Sequence, residues 1–318
     1  MKKLSAKNKK YRVGFCKKKQ GVFSQELIDR ICLDLEDKHG FEVLRDLDYR
    51  KMYLKNGKVF WGKRDLSSLD LYFWHDTVDP KVWKGDNYYL NILKALEYDC
   101  VIVNNPESVR VVNDKYFSHL FLKRAGLPVA DFALVNIKDK EVLVDCFESF
   151  GGEVLIKPRF GGFGTGIVRI SSNEQLMEMV ELLQYFLSTE EEQLLLEKFY
   201  ENDLSKWISV VVLGDKVLYG YRKKLLGQSD WKIYDPDRID ARGQFTEYVE
   251  PDEDLKKMAL KAKKIINKDI ICFDFIYTKE GYKIVDENGR PGLYQHCLDR
   301  AEVDIKEEVV NLIASKLK

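Results

Sequence analysis

The run from Val154 to Ile170 constrains this chain more than any other. Two β-rich segments flank a loop in which Gly161, Gly162, Gly164 and Gly166 fall within six residues. Glycine loses more chain entropy on ordering than any other residue, so this density marks backbone that must take positive φ or approach a ligand closely. Successive N–H groups in such a loop form a nest for phosphate oxygens. Lys157, at the end of the entering strand, is placed to neutralise an α- or β-phosphate as a point charge. The spacing is neither that of a P-loop nor that of a dinucleotide fingerprint running straight into a helix. Glycine is also ordinary turn punctuation, so a plain hairpin loop stays open at this point.

A second segment runs through Phe273, Asp274 and Phe275 and continues from Tyr282 to Gly292. Strand alternation puts Asp286 and Asn288 on one face and Glu287 on the other. A hairpin turning through Lys279, Glu280 and Gly281 brings Asp274 beside Asp286. Two carboxylates and an amide oxygen converging there form a hard-oxygen site suited to Mg²⁺ or Mn²⁺ bridging nucleotide phosphates. Arg290 just beyond is placed to hold a phosphate or carboxylate bidentately. Asp, Asn and Gly are also the usual turn residues, so an acidic strand end is the competing reading.

The first hundred residues read as an α/β unit. Strands are expected at Val13–Cys16, Phe41–Leu47, Leu69–Trp74 and Cys100–Val103. Helices are expected from Ser24, as cap, to Gly40 and from about Asn87 to Leu96. Asn56-Gly57 signals a type I′ hairpin. Strands alternating with helices imply a mainly parallel sheet. Beyond Asn104, Asn105 and Pro106 a helix follows from about Asp114 to Arg124, then two strand-and-helix units, Phe132–Phe150 and Val154–Phe186. From Leu194 the chain turns strand-rich, with a tight hairpin at Gly214-Asp215, a helix after Pro251 and a last helix from about Val303 to Leu317. The organisation expected is three units, 1–105, 106–193 and 194–318.

Bulk properties narrow the function classes. The 318 residues carry 52 Lys plus Arg against 52 Asp plus Glu. No global field therefore draws in nucleic acid or an anionic membrane. Lysines crowd the start, from Lys2 to Lys19, and read as a solvated tail, with a phosphate-facing or nucleic-acid-binding element as the alternative. No apolar run is long enough to span a membrane. No secretory signal follows the first lysines. Six cysteines without a C-x-x-C pair look like small buried hydrophobes, so a cytoplasmic setting is expected. None of the four histidines sits in a motif, and His296 reads as a packed loop residue.

Taken together, the glycine loop between strands and the later Asp274, Asp286, Asn288, Arg290-Pro291-Gly292 hairpin resemble the ATP-grasp superfamily, and within it RimK-type glutamate ligases and related carboxylate–amine ligases. The resemblance implies an α/β (α+β) protein with the ATP-grasp fold behind an N-terminal pre-ATP-grasp α/β lobe. Asp114-Lys115 is similar to the family's opening of the central lobe, which implies Lys115 and Lys157 as nucleotide lysines. Gly161, Gly162, Gly164, Thr165 and Gly166 match the mobile phosphate-covering loop. Glu197, Lys198 and Phe199 resemble the hinge strand whose backbone reads the adenine edge. Asp274, Asp286 and Asn288 match the metal triplet.

Other matches are partial. Asp230-Trp231-Lys232 and Arg242-Gly243 are similar to family segments but lie further apart. The family's post-hinge Asp-x-Arg is replaced by Trp207-Ile208-Ser209, with Asp203 a substitute candidate for the ribose. Among Arg222, Lys223 and Lys224, Arg222 and Lys224 share a strand face and are favoured as the catalytic cations, with Arg290.

The resemblance implies ATP and Mg²⁺ (or Mn²⁺) as cofactors. Small-molecule carboxylate and amine substrates, amino acid or peptide, are joined through an acyl phosphate, without nucleic acid or membrane partners. A homo-oligomer stays open. Two rival readings are a small-molecule kinase of the inositol-phosphate-kinase type, which uses a related fold on a hydroxyl, and a nucleotide-binding module without catalysis.

Overall fold

The structure is a computed structural model that describes residues 10–16, 23–74, 88–161, 164–186, 193–223 and 246–317. Its N-terminal part is built from β1 (Arg12–Phe15), α1 (Gln25–His39), β2 (Glu42–Leu44), β3 (Met52–Lys55), β4 (Lys58–Trp61), β5 (Arg64–Asp65), β6 (Leu71–Phe73), α2 (Tyr88–Leu96) and β7 (Val101–Val103). Strands β2-β1-β6-β7 form a parallel sheet, as the alternation of strands and helices implies. Ser24 Oγ caps α1 by accepting from Leu27 N at 3.1 Å, and Gly40 closes it at φ 66°. Ile28, Ile31, Cys32 and Leu35 form the buried stripe of α1. Asn56 and Gly57 both take positive φ, the geometry of a type I′ turn. Their hairpin does not join the parallel sheet; β3, β4 and β5 make a small antiparallel sheet of their own.

The middle of the chain contains α3 (Pro106–Val112), α4 (Lys115–Arg124), β8 (Phe132–Asn136), α5 (Lys140–Ser149), β9 (Val154–Lys157), β10 (Val168–Ile170), α6 (Asn173–Phe186) and β11 (Gln193–Lys198). An antiparallel sheet in the order β10-β9-β11-β8 results, here called the central sheet. Leu143 and Phe147 of α5 and Leu176 and Val180 of α6 pack on its Val154, Ile156, Leu194 and Leu196.

The remainder comprises β12 (Ile208–Leu213), β13 (Lys216–Lys223), β14 (Thr246–Val249), α7 (Glu253–Ile266), β15 (Ile270–Thr278), β16 (Gly281–Asn288), α8 (Gln295–Arg300) and α9 (Ile305–Leu317). Its sheet runs β14-β13-β12-β15-β16, all antiparallel. Strand β12 is apolar on both faces because both are covered. Val210 and Val212 meet α7 through Leu255, Ala259 and Ile266. Val211 and Leu213 join a core with Ile31 and Leu35 of α1, Phe15 and Phe73 of the parallel sheet, and Val309 and Ile313 of α9. Asn104 adds a polar link: its side-chain oxygen accepts from Ile270 N at 2.9 Å and its carbonyl from Trp74 Nε1 at 2.6 Å. The C-terminal sheet is therefore held by the parallel sheet on one side and by α7 on the other.

Two short helices, α3 and α8, are additions to the sequence reading. Asn105 caps α3 through Ser108 N at 3.0 Å, and Pro106 fills its first turn.

Candidate active site

Hairpin β15–β16 sets Asp274 directly opposite Asp286 and Cys272 opposite Asn288. The pleat puts the two carboxylates and the amide on one face and turns Glu287 to the other. Ser209, opposite Asp274 on β12, donates to Asp274 Oδ1 at 2.6 Å. Lys223 Nζ lies 3.4 Å from Asp274 Oδ2. Lys115, in the first turn of α4, donates to Asp286 Oδ1 at 2.7 Å. Burial pushes the Asp286 carboxyl up, but Lys115 and Lys157 outweigh it and hold the pKa at about 2. Burial also opposes the Lys115 and Lys223 charges; the Asp286 and Asp274 carboxylates reverse this and raise both ammonium groups above their ordinary range.

The central sheet supplies the other wall. Lys157 Nζ sits 2.6 Å from Glu197 Oε1 and donates to Val285 O at 3.2 Å, the carbonyl just before Asp286. A strand carrying the glycine loop and the acidic hairpin thus meet at one buried ammonium. Glu197 is only 3% exposed. Burial raises its pKa, yet Lys157 and His119 bring it below the usual carboxylate range.

His119 of α4 completes the cluster. Its Nε2 is 3.1 Å from Glu197 Oε2. Its Nδ1 is 3.2 Å from Glu287 Oε1, at an angle poor for a hydrogen bond, so this second contact is an ion pair. Burial opposes the imidazolium, while Glu287 and Glu197 lift its pKa to about 9. The sequence offered no motif for this histidine; only the fold brings its partners together.

The stem of the glycine loop is anchored to the same helix. Asp114 caps α4 through Phe117 N and grips Arg159 at 2.9 and 2.7 Å. Arg159 O accepts from Lys115 N at 3.1 Å. The Arg159 guanidinium lies over the rings of Tyr116, Phe117 and Phe160. Gly161, Gly164 and Gly166 take φ of 126°, 66° and 77°, and a Cβ on Gly166 would stand 2.8 Å from Pro158 Cγ. These three glycines are thus required by the backbone, and Thr165 lies exposed between two of them. Gly162 lies outside the described residues, as do Lys224, Asp230, Trp231, Lys232, Arg242, Gly243 and the lysines from Lys2 to Lys9 and Lys17 to Lys19.

The other candidates each have neighbours of their own. Arg222 is on the face of β13 opposite Lys223 and pairs with Glu247 at 3.2 Å, so of the two described members of the basic run it is Lys223 that reaches the acidic pair. The N–H groups of Lys198 and Phe199 donate to Asp131 O and Glu153 O at 2.8 and 3.0 Å, so neither is offered to an adenine edge. The Phe199 ring is covered by Arg169, 3.9 Å from its centroid. Arg290 is exposed beside a strapped turn, in which the Tyr219 hydroxyl donates to Gly292 O at 2.5 Å and accepts from Tyr294 N at 3.0 Å. Asp203 caps a short 3₁₀ turn through Ser205 N. His296, expected as a packed loop residue, is instead exposed on α8, 3.3 Å from Thr246 Oγ1 and from Cys297 Sγ.

Asp274, Asp286 and Asn288 offer only oxygen donors, which fits a hard divalent cation such as Mg²⁺. Among the described residues no group of three or more His, Cys, Asp or Glu side chains is arranged to hold a metal.

Two antiparallel sheets, with Lys157 of one and Lys115 of the adjoining helix facing an acidic hairpin of the other, define an ATP-grasp protein. The sequence model of the RimK-like ATP-grasp domain matches residues 112–313, and the chain belongs to that family. It is 24% identical over 265 residues to tetrahydromethanopterin:alpha-L-glutamate ligase of Methanocaldococcus jannaschii, covering 82% of this chain and 84% of that protein. It is 23% identical to a probable alpha-L-glutamate ligase of Rhodopirellula baltica, covering 76% of this chain and 58% of that protein. Among solved structures it is similar to the ATP-grasp ligase PsnB complexed with minimal precursor, Mg and ADP (TM-score 0.62, 18% identity, 96% and 98% of the two chains). D-cycloserine synthetase DcsG is similar too, with TM-score 0.67, 14% identity and coverage of 96% and 100%. Among the described residues no helix is long and apolar enough to cross a membrane.

Proposed function

We propose that this protein is an ADP-forming carboxylate–amine ligase that binds Mg-ATP between the central and C-terminal sheets, the three units dividing at 105/106 and 193/194. The reading is carried by the Lys157 ammonium, which joins the glycine-loop strand to Glu197 and to the backbone beside Asp286. It is supported by family membership and by relatives named as alpha-L-glutamate ligases. An amino acid is the amine proposed, with L-glutamate first to test. The six cysteines are all free thiols, which supports a reducing, cytoplasmic setting.

In this mechanism a substrate carboxylate oxygen attacks the γ-phosphorus of ATP, the bond to the β–γ bridging oxygen breaks, and ADP leaves. The amine then attacks the acyl phosphate carbon, and phosphate leaves as the amide forms. Lys115 and Lys157 exchange their carboxylate partners for phosphate oxygens, and Lys223, with Lys224 and Arg290, neutralises charge on the transferred group. Asp274, Asp286 and Asn288 would hold Mg²⁺, which when bound supplies Lewis-acid neutralisation of the triphosphate. Closure of the Gly161–Gly166 loop over the phosphates excludes water and protects the acyl phosphate from hydrolysis. Adenine recognition by the hinge falls to groups other than the Lys198 and Phe199 N–H.

The test is a screen of carboxylates and amino acids with Mg-ATP, scored for ADP, free phosphate and a conjugate of the expected mass. ADP with phosphate and an amide is the expected result. ADP with a phosphorylated alcohol and no free phosphate would instead mark a kinase, a reading for which the structure provides no particular observation.

A further inference from the structure

We propose that His119 is a positioning residue that locks the hinge strand to the acidic hairpin and so fixes both ends of the nucleotide cleft; this rests on the nucleotide-binding reading above. The contacts form a continuous buried chain. Ser118 Oγ donates to Glu287 Oε2 at 2.6 Å. The other Glu287 oxygen faces His119 Nδ1, and His119 Nε2 reaches Glu197. The other Glu197 oxygen holds Lys157, which in turn donates to Val285 O. The chain therefore begins at Glu287 and ends at Val285, the two neighbours of Asp286.

That closure is what gives the histidine leverage. On a pleated strand Glu287 points away from Asp286 and Asn288, so fixing its side chain from behind fixes the roll of the strand. The roll in turn aims the two flanking donors, as outer hydrogen bonds do for metal ligands generally. The Glu197 end of the same ring acts on the hinge strand and Lys157. Packing alone would be served by an apolar side chain in this site, where the histidine is 1% exposed and edge-on to Phe132. A neutral imidazole has one N–H and can serve only one of two carboxylates, so the bridge requires the imidazolium. The ring's raised pKa agrees with this.

The experiment uses the full chain. Calorimetry of the wild type with Mg-ATP comes first; absence of heat there would remove the nucleotide reading itself. His119→Gln and the double variant His119→Gln/Glu287→Gln, which removes the paired buried charges together, are then compared for thermal midpoint, Mg-ATP affinity, kcat and KM for ATP. The expected result is a double variant with a midpoint near wild type but affinity and kcat lowered by about 10- to 100-fold, the range typical of residues that orient metal ligands. The affinity loss should be larger with Mg²⁺ than without it. A folded variant that matches wild type in kcat and KM overturns the proposal and leaves the nucleotide reading intact. Independently of any variant, the ¹⁵N spectrum of the wild-type imidazole should show both ring nitrogens protonated at neutral pH; a neutral tautomer would also overturn it.

Discussion

Asp114 grips Arg159 with both carboxylate oxygens while capping the helix that carries Lys115 and His119. The stem of the glycine loop and the N-terminus of α4 are thus one mechanical piece. Asp114→Asn keeps a capping oxygen but loses a largely buried ion pair, so the thermal midpoint should fall and KM for ATP should rise. Asp114→Ala should lose in addition about 1 kcal/mol of stability from the missing cap. Denaturant melts with ATP titrations separate the two effects.

Lys157→Met and Lys115→Met should differ in kind. Removing Lys157 leaves Glu197 buried against His119 alone, and breaking a buried pair by removing one partner costs about 3–5 kcal/mol. Asp286 is more open than Glu197, with 29% of its side chain exposed, so Lys115→Met should cost less stability while still weakening Mg-ATP binding. Chemical denaturation and calorimetry on both variants check this; equal stability losses would contradict it.

Stability should fall on both sides of neutrality, for separate reasons. The His119 pKa is raised from 6.5 to about 9 by folding, so its contribution is complete below 6.5 and lost as pH rises through 9. The Asp286 pKa is lowered from 3.8 to about 2, so its contribution is present above 3.8 and lost as pH falls through 2. A thermal-midpoint series across pH should show both limbs, and His119→Gln should flatten the alkaline one.

Arg222 and Lys223 should part company in the assay. Arg222 pairs with half-exposed Glu247, so Arg222→Ala should change stability by no more than about 1 kcal/mol and leave kcat near wild type. Lys223→Met, next to Asp274, should lower kcat by about 10-fold or more, the scale of a lost charge-stabilising contact. The reverse ranking in steady-state kinetics would move the catalytic cation to the outer face of β13.

Local chemistry made much of this legible. Ser24 and Gly40 bound α1, the Asn56-Gly57 pair turns its hairpin, and a two-residue period puts Asp286 and Asn288 on one face. Counting from the turn alone would set Asp274 opposite Val285; a β-bulge between Asp274 and Phe275 shifts it to Asp286. Where the reading diverged, distance or register decided. His119 has no telling neighbour in sequence, because its partners Glu197 and Glu287 arrive only through tertiary packing. Arg222 and Lys223 differ by one residue, and one residue is a change of sheet face. Asn105 and Pro106 read equally as a chain break or as the cap and first turn of α3. The free N–H groups expected of the hinge are taken by carbonyls of Asp131 and Glu153, partners that only the assembled central sheet supplies.

Four cations, Lys115, Lys157, Lys223 and His119, interleave with four anions, Asp274, Asp286, Glu197 and Glu287. Left empty, such a cleft is electrically quiet: it projects little field into solvent and steers a passing polyanion only weakly. On the proposed function, capture of the nucleotide would be a trade of partners at short range, with an arrival rate insensitive to salt and discrimination left to the moment of contact.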